Sequence, residues 1–341
     1  MMDFRMKNGS FRLAIGLSTT MLFGMGLVHA APEGEMKVTL LGTGTPIVNI
    51  NRFGMSTLVE AGNQKLLFDV GRGAVIRLHQ IQVPLRDINS IFFTHMHSDH
   101  LTGFPDLYAS APLPTDDGRS KAPISIYGPV GIDNFARGIE KAFTANNEIR
   151  LKGGETNEPA TKISDHFLPE KGGVVYNKDG VKVTAFLVDH GHVEPAYGFR
   201  VDYAGHAVVL SGDTTYSSNL VKQAKGVDLL VHSLSIGSRE LEKAYPDYVQ
   251  HFYSYLANTE KLGQVLNETK PKDAVISHIS LYSKGNIGRA SEKEILSRVS
   301  ENYKGKFLLG QDLMSFVIND KGVTRVAYDP SIRQFEPIKQ N

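Results

Sequence analysis

The chain has 341 residues, 37 of them basic and 36 acidic, for a net charge of +1, and it contains neither cysteine nor tryptophan. Near-neutrality gives no global field to gather nucleic acid, and the missing thiols exclude disulfides and thiolate metal ligands. The length exceeds the usual single-domain size but suits one large α/β unit.

Arg5, Lys7 and Arg12 precede an apolar segment from Leu13 to Val28, and Val28-His29-Ala30 places small residues where a signal peptidase reads them. Residues 1–30 are therefore expected to be a secretory signal peptide, with residues 31–341 forming the mature domain in the periplasm or medium. A membrane anchor is the alternative. The apolar stretch is short for that and is interrupted by Ser18-Thr19-Thr20, so no membrane span is expected after cleavage.

In the mature chain, Lys37 to Leu41 reads as a strand ending in Gly42-Thr43-Gly44-Thr45-Pro46. Ser56 to Glu60 and Lys65 to Asp69 read as a hairpin around Gly62-Asn63. A short helix, Ala74 to His79, leads to the apolar strand Ile88 to Phe93, then come a strand at Ile124 to Tyr127 and a helix at Gly131 to Ala145. Further strands are expected at Val181 to Leu187, Tyr197 to Val201, Ala207 to Leu210, Asp228 to Val231, Ala274 to Ile276, Phe307 to Leu309 and Ser315 to Ile318. Helices are expected at Ser217 to Ala224, Tyr253 to Leu266 and Ser291 to Val299. Two β-rich halves with helices outside imply an α/β fold, a four-layer αββα sandwich. The turn-rich stretches Pro112 to Pro123 and Asn146 to Gly173 fit neither element and are expected to wall a pocket.

The chemistry concentrates at Thr94-His95-Met96-His97-Ser98-Asp99-His100, directly after a buried strand. If the strand persists through His97, then His95 and His97 share a face and can hold one cation, with Asp99 and His100 facing a second. Imidazole and carboxylate ligands point first to zinc, with manganese and iron as alternatives. Asp189-His190-Gly191-His192 and Gly212-Asp213-Thr214 also follow strands. His232 and His278 end two more.

The order H-x-H-x-D-H, D-H-G, S-G-D-T and a late S-H resembles the metallo-β-lactamase superfamily from about Val38 to Ile318, and within it the ribonuclease Z and secreted arylsulfatase-like branch. Pro195-Ala196-Tyr197-Gly198-Phe199-Arg200 and Gly310-Gln311-Asp312-Leu313-Met314 carry the branch likeness. The resemblance implies a metallo-β-lactamase sandwich with two divalent cations, zinc being the expected metal. His95, His97 and His190 would hold one, Asp99, His100 and His278 the other, and Asp213 would join them. His192 competes with His190, whose spacing to Gly198 and Arg200 fits better. His232 stands where ribonuclease Z has a histidine followed by glutamate, but here Ser233 follows.

The expected reaction is ester hydrolysis by a hydroxide held at the metals, with Asp99 orienting it and His232 donating to the leaving oxygen. Aryl sulfate esters are the expected substrates. A ribonuclease Z-like phosphodiesterase, a lactone or β-lactam hydrolase and a non-catalytic metal-binding protein are the alternatives. Export, and the short span 191–212 that leaves no room for an RNA-gripping arm, set the expected partner as a small-molecule ester rather than nucleic acid. A homodimer is compatible with the sequence. His251 lies where related sequences approach substrate.

Overall fold

In a computed structural model, residues 34–326 and 328 are described; the expected signal peptide over residues 1–30 lies outside them. Among the described residues, two sheets face each other. The first has eight strands in the spatial order Gly322–Val326, Ser315–Asn319, Met36–Gly42, Ser56–Ala61, Gln64–Phe68, Ser90–Phe92, Ile124–Gly128 and Ile163–Phe167. The second has seven, in the order Leu308–Leu309, Asp273–Leu281, Leu229–Ile236, His206–Leu210, Tyr197–Tyr203, Val181–Leu187 and Gly173–Lys178. No described helix is long and apolar enough to cross a membrane.

The inner faces interdigitate through alternating apolar residues such as Val38, Leu40, Phe68, Phe92, Phe199 and Val201. Phe92 stacks on Phe68 within its own sheet at 5.0 Å and meets Phe199 of the other sheet edge-on at 5.7 Å. Helices Ala74–Gln80, Phe104–Ser110 and Ile132–Ala142 cover the outer face of the first sheet. Ser218–Ala224, Thr259–Thr269 and Glu292–Asn302 cover the second. The four-layer αββα sandwich follows directly: the central strands are buried on both faces, as parallel strands under helices must be.

Local signals explain several helix starts. Ser217, Ser238, Asn258 and Ser291 each accept a backbone N–H from three residues on, satisfying donors that a helix end leaves open. Gly62, at φ +53°, carries the hairpin turn between Ser56–Ala61 and Gln64–Phe68.

Four expectations need correction. The strand before the histidine motif is only Ser90–Phe92 and does not continue as a paired strand to His97. Residues 146–173 are not one loop: they supply part of the helix Thr144–Lys152, the edge strand Ile163–Phe167 and the start of Gly173–Lys178. The helix expected from Tyr253 is two helices, Pro246–Tyr253 and Thr259–Thr269. His232 and His278 sit inside their strands, not at the ends.

Candidate metal centre

The site lies where loops from both sheets meet. After Phe92 the chain leaves the ladder and bends at Thr94, and His97, itself extended (φ −67°, ψ 145°), is the residue preceding the short helix Ser98–Leu101. That conformation lets His95 and His97 reach the same point although no ladder holds them, while Asp99 and His100 project from the first helical turn. The turn is anchored from below: Val70 N–H donates to the His100 carbonyl at 2.8 Å.

The remaining ligand candidates arrive from the second sheet. His190 follows Val181–Leu187. Asp213 follows His206–Leu210 after Gly212, whose φ of +62° and close approach to the Tyr197 carbonyl leave no room for a Cβ. His278 is reached differently. Pairing between Leu229–Ile236 and Asp273–Leu281 slips between Ser233 and Leu234, so His278 is the extra residue of a bulge, at φ +45°. A bulge re-aims a side chain in mid-strand, which is how a histidine inside a central strand faces the site.

Three groups form, each with ligand atoms within 4.8 Å of one another: His95, His97 and His190; His95, His100 and Asp213; Asp99, His100 and His278. Asp213 lies between them, with Oδ2 4.0 Å from His190 Nε2 and 3.7 Å from His100 Nε2, and Oδ1 3.4 Å from His278 Nδ1. All seven residues named from the sequence as metal ligands thus converge. His192 does not; it is exposed, with its ring against Tyr255.

The outer partners fix which nitrogens face inward. His190 Nδ1–H donates to the Tyr255 carbonyl at 2.8 Å, and a carbonyl can only accept, so Nε2 presents a lone pair. His100 Nδ1 donates to Asp69 at 2.8 Å. Thr94 Oγ1 also donates to Asp69, at 3.0 Å, which leaves it to accept from His95 Nδ1 at 3.0 Å. Asp69, itself at φ +58° and buried, therefore sets the orientation of two imidazoles. It was not singled out from the sequence; the signal was an acid closing a buried strand.

Four inward atoms, His100 Nε2, His190 Nε2, Asp213 Oδ1 and His278 Nδ1, are buried with no hydrogen-bond partner. An orphaned buried polar atom costs about 1–3 kcal/mol, so Asp213 and three such imidazole nitrogens gathered around it fit cation binding and not a packing requirement. The electrostatics divide the set: burial would lower His100 and His278, but Asp69, Asp99 and Asp213 around the first and Asp213 and Asp99 beside the second raise them, while the other three imidazoles shift down. Burial, then the neighbouring imidazoles, lowers the pKa of His95, and burial lowers His97 and His190, which keeps these three neutral as metal ligation requires. Burial would raise Asp213, but His278 and His100 hold it well below the usual carboxylate range. Asp99 is likewise lowered: burial opposes, and His100 and His278 prevail.

A cleft of about 250 Å³ opens over the centre, lined on one side by His97, Asp99, His190, Asp213 and His278. Neither 112–123 nor 146–173 lines it, so the expected pocket walls are corrected to Thr45-Pro46-Ile47 and an aromatic group on the other side. Residues 112–123 instead pack at the far end, where Leu85 N–H donates to the Asp117 carbonyl. His251 is exposed on Pro246–Tyr253, behind Phe252 and Tyr255.

His232 is also displaced from its expected role. Its Nδ1–H donates to its neighbour's carbonyl, Ser233 O, at 2.7 Å, and burial lowers its pKa to about 4. Nε2 therefore carries no proton, and the ring lines a small cavity of about 20 Å³ together with Asp213 and His278, and is not in the lining of the cleft. A neutral imidazole held in this tautomer has nothing to give a leaving oxygen.

Comparison with known proteins extends the geometry. Residues 64–279 match the profile described as the beta-lactamase superfamily domain. Ribonuclease Z of Mycobacterium bovis (strain BCG / Pasteur 1173P2) is 30% identical over 281 residues, 82% of this chain and 96% of that protein. Ribonuclease Z of Mycolicibacterium gilvum (strain PYR-GCK) is 31% identical over 246 residues, 71% and 84% of the two chains. Among solved structures, the metallo-beta-lactamase fold protein YhfI from Bacillus subtilis superposes with a TM-score of 0.63 at 16% identity, covering 83% of this chain and 99% of that one. Human tRNase Z, short form, gives 0.59 at 22% identity, covering 82% and 98%. Relatives named as ribonucleases across nearly their full length overturn two expectations from the sequence: aryl sulfate esters as substrate, and a small-molecule partner to the exclusion of nucleic acid.

Proposed function

The chain belongs to the beta-lactamase superfamily, and from that premise we propose that it is a metal-dependent phosphodiesterase of the ribonuclease Z type, hydrolysing phosphodiester bonds of RNA. The observation that carries this reading is a full set of seven inward-facing ligands in a chain alignable with ribonuclease Z along 96% of the relative's length. His95, His97 and His190 would hold one divalent cation, Asp99, His100 and His278 a second, and Asp213 would touch both; imidazoles and carboxylates make zinc the first candidate. Bound there, such a pair lowers the pKa of water and offsets the charge that builds on phosphoryl oxygens.

The protein's own residues do the rest. Asp99 is a carboxylate at the cleft floor, with Oδ2 accepting from His278 Nε2 at 3.0 Å, so its other oxygen can accept from an attacking water and aim it. Asp69 and the Tyr255 carbonyl keep three imidazoles from turning. Tyr197–Tyr203 and His206–Leu210 join through a tight hairpin at Ala204-Gly205, so a grip on RNA must come from the cleft rim or elsewhere.

Export through the leader at residues 1–30 is part of this proposal. It would present the enzyme with phosphodiesters outside the cytoplasm, and N-terminal sequencing of protein from an exporting host tests it: a start near Ala31 supports export and an intact Met1 contradicts it. The catalytic reading is tested with zinc-loaded protein on bis(p-nitrophenyl) phosphate, an RNA oligonucleotide, p-nitrophenyl sulfate and a lactone. Cleavage of the two diesters is expected. Turnover of sulfate or lactone without diester cleavage would overturn it.

A further inference from the structure

The ligands line only half of the cleft. The rest of its lining includes Tyr248, Phe252, Tyr255 and Tyr282 from the second sheet's side of the chain and Pro46 and Ile47 from the loop after Met36–Gly42. The helix Pro246–Tyr253 buries Val249 and Tyr253 in the body of the protein, while Tyr248 and Phe252, packed against the edge of that cluster, are only partly buried and reach the cleft. Phe252 lies flat on Tyr282, ring centroids 4.0 Å apart and planes 15° apart. Tyr255 stands edge-on to His190 at 5.6 Å, so the aromatic surface begins at the metal ligands themselves. Ile47 in that lining is 49% exposed, and Val48 and Ile50 after it in the chain are more so. Beside Tyr248, the Lys284 ammonium sits 4.6 Å from the ring centroid. Flat π surface continuous with the candidate metal centre, an exposed apolar side chain in the same lining, and a cation on the Tyr248 ring together suit a planar ring attached to a phosphate.

We propose that this wall is a subsite for the nucleobase adjoining the cleaved phosphodiester, with Tyr255 and Phe252 as its stacking surface, Ile47 closing the other side and Lys284 supplying positive charge beside it. The proposal rests on the phosphodiesterase reading above. Stacking on aromatic side chains accepts any base, because every base has a π face, so the subsite gives affinity with little sequence preference.

The test compares two ligands that share a sugar phosphate and differ only in the base: uridine 5′-monophosphate and ribose 5-phosphate, titrated calorimetrically into the zinc-loaded full-length protein. The nucleotide should bind about tenfold more tightly or better. Tyr255→Leu and Phe252→Leu should bring the ratio close to one, while Tyr255→Phe should retain it. Ile47→Ser, at an exposed position where folding is not at risk, should narrow the ratio. Equal binding of the two ligands by the wild type overturns the subsite, as does a ratio that survives Tyr255→Leu, Phe252→Leu and Ile47→Ser. Diester hydrolysis measured in parallel separates the two ideas: cleavage without base preference defeats the subsite alone, and base preference without cleavage defeats the catalytic reading alone.

Discussion

His100 Nδ1 lies 2.8 Å from Asp69 Oδ2, and neither residue is more than 1% exposed. The same carboxylate accepts the Thr94 backbone N–H at 2.9 Å and its hydroxyl at 3.0 Å, so one side chain that is not itself among the seven candidates orients His100 directly and His95 through Thr94. Replacing it by asparagine keeps the shape and substitutes an amide that cannot accept all three. Asp69→Asn is expected to weaken metal affinity about 10- to 100-fold in a chelator competition, with the fold intact by circular dichroism. Unchanged affinity would remove Asp69 from this role.

His232 offers a contrast, since it carries no transferable proton. His232→Leu should lower turnover by a similar factor for diesters with good and poor leaving groups, leaving the slope of log kcat against leaving-group pKa where the wild type has it. A loss confined to poor leaving groups would restore His232 as the proton donor.

The same residue sets a pH dependence. Burial depresses the folded-state pKa of His232 to about 4, against an ordinary value of 6.5. The unfolded chain therefore takes up the proton first, and stability falls as pH drops from about 6.5 to about 4, by on the order of 3 kcal/mol; above 6.5 nothing is lost. His232→Leu should lack this component. Denaturant unfolding at pH 7.5 and pH 4.5 checks it: the wild type should lose more between the two than the variant, and equal losses would count against a neutral buried imidazole.

Gly212 positions Asp213. With φ at +62° and an added Cβ only 2.6 Å from the Tyr197 carbonyl, an alanine must shift backbone. Gly212→Ala should cost about 1–3 kcal/mol and reduce the metal content, since the displaced residue is the one between the two ligand sets. Wild-type melting temperature and stoichiometry in this variant would show that the turn tolerates a side chain.

The convergence of the seven candidates was legible in the sequence because four of them fall within six positions after a buried strand, and the others sit beside strand ends or within a strand whose apolar run is plain. What was not legible has physical causes. The bulge at His278 leaves no mark on an apolar run. The helix Thr144–Lys152 buries no residue, so it shows no apolar period and looks like loop. Tyr248, Phe252 and Tyr255 are spaced as a helix core stripe would be, yet Val249 and Tyr253 are the fully buried residues and Tyr248 and Phe252 sit half-buried at the cleft. Substrate was misread for a different reason: sulfuryl and phosphoryl groups ask much the same of two cations, so the ligands alone do not choose between them.

The central claim is that the seven converging residues bind metal and that diester hydrolysis depends on it. Elemental analysis of the purified protein, coupled to hydrolysis of bis(p-nitrophenyl) phosphate before chelation, after chelation and after zinc is returned, tests it most directly. About two divalent metal ions per chain are expected, with activity abolished by prolonged chelation and recovered on reloading. Full diesterase activity in protein shown to carry no metal would contradict the account.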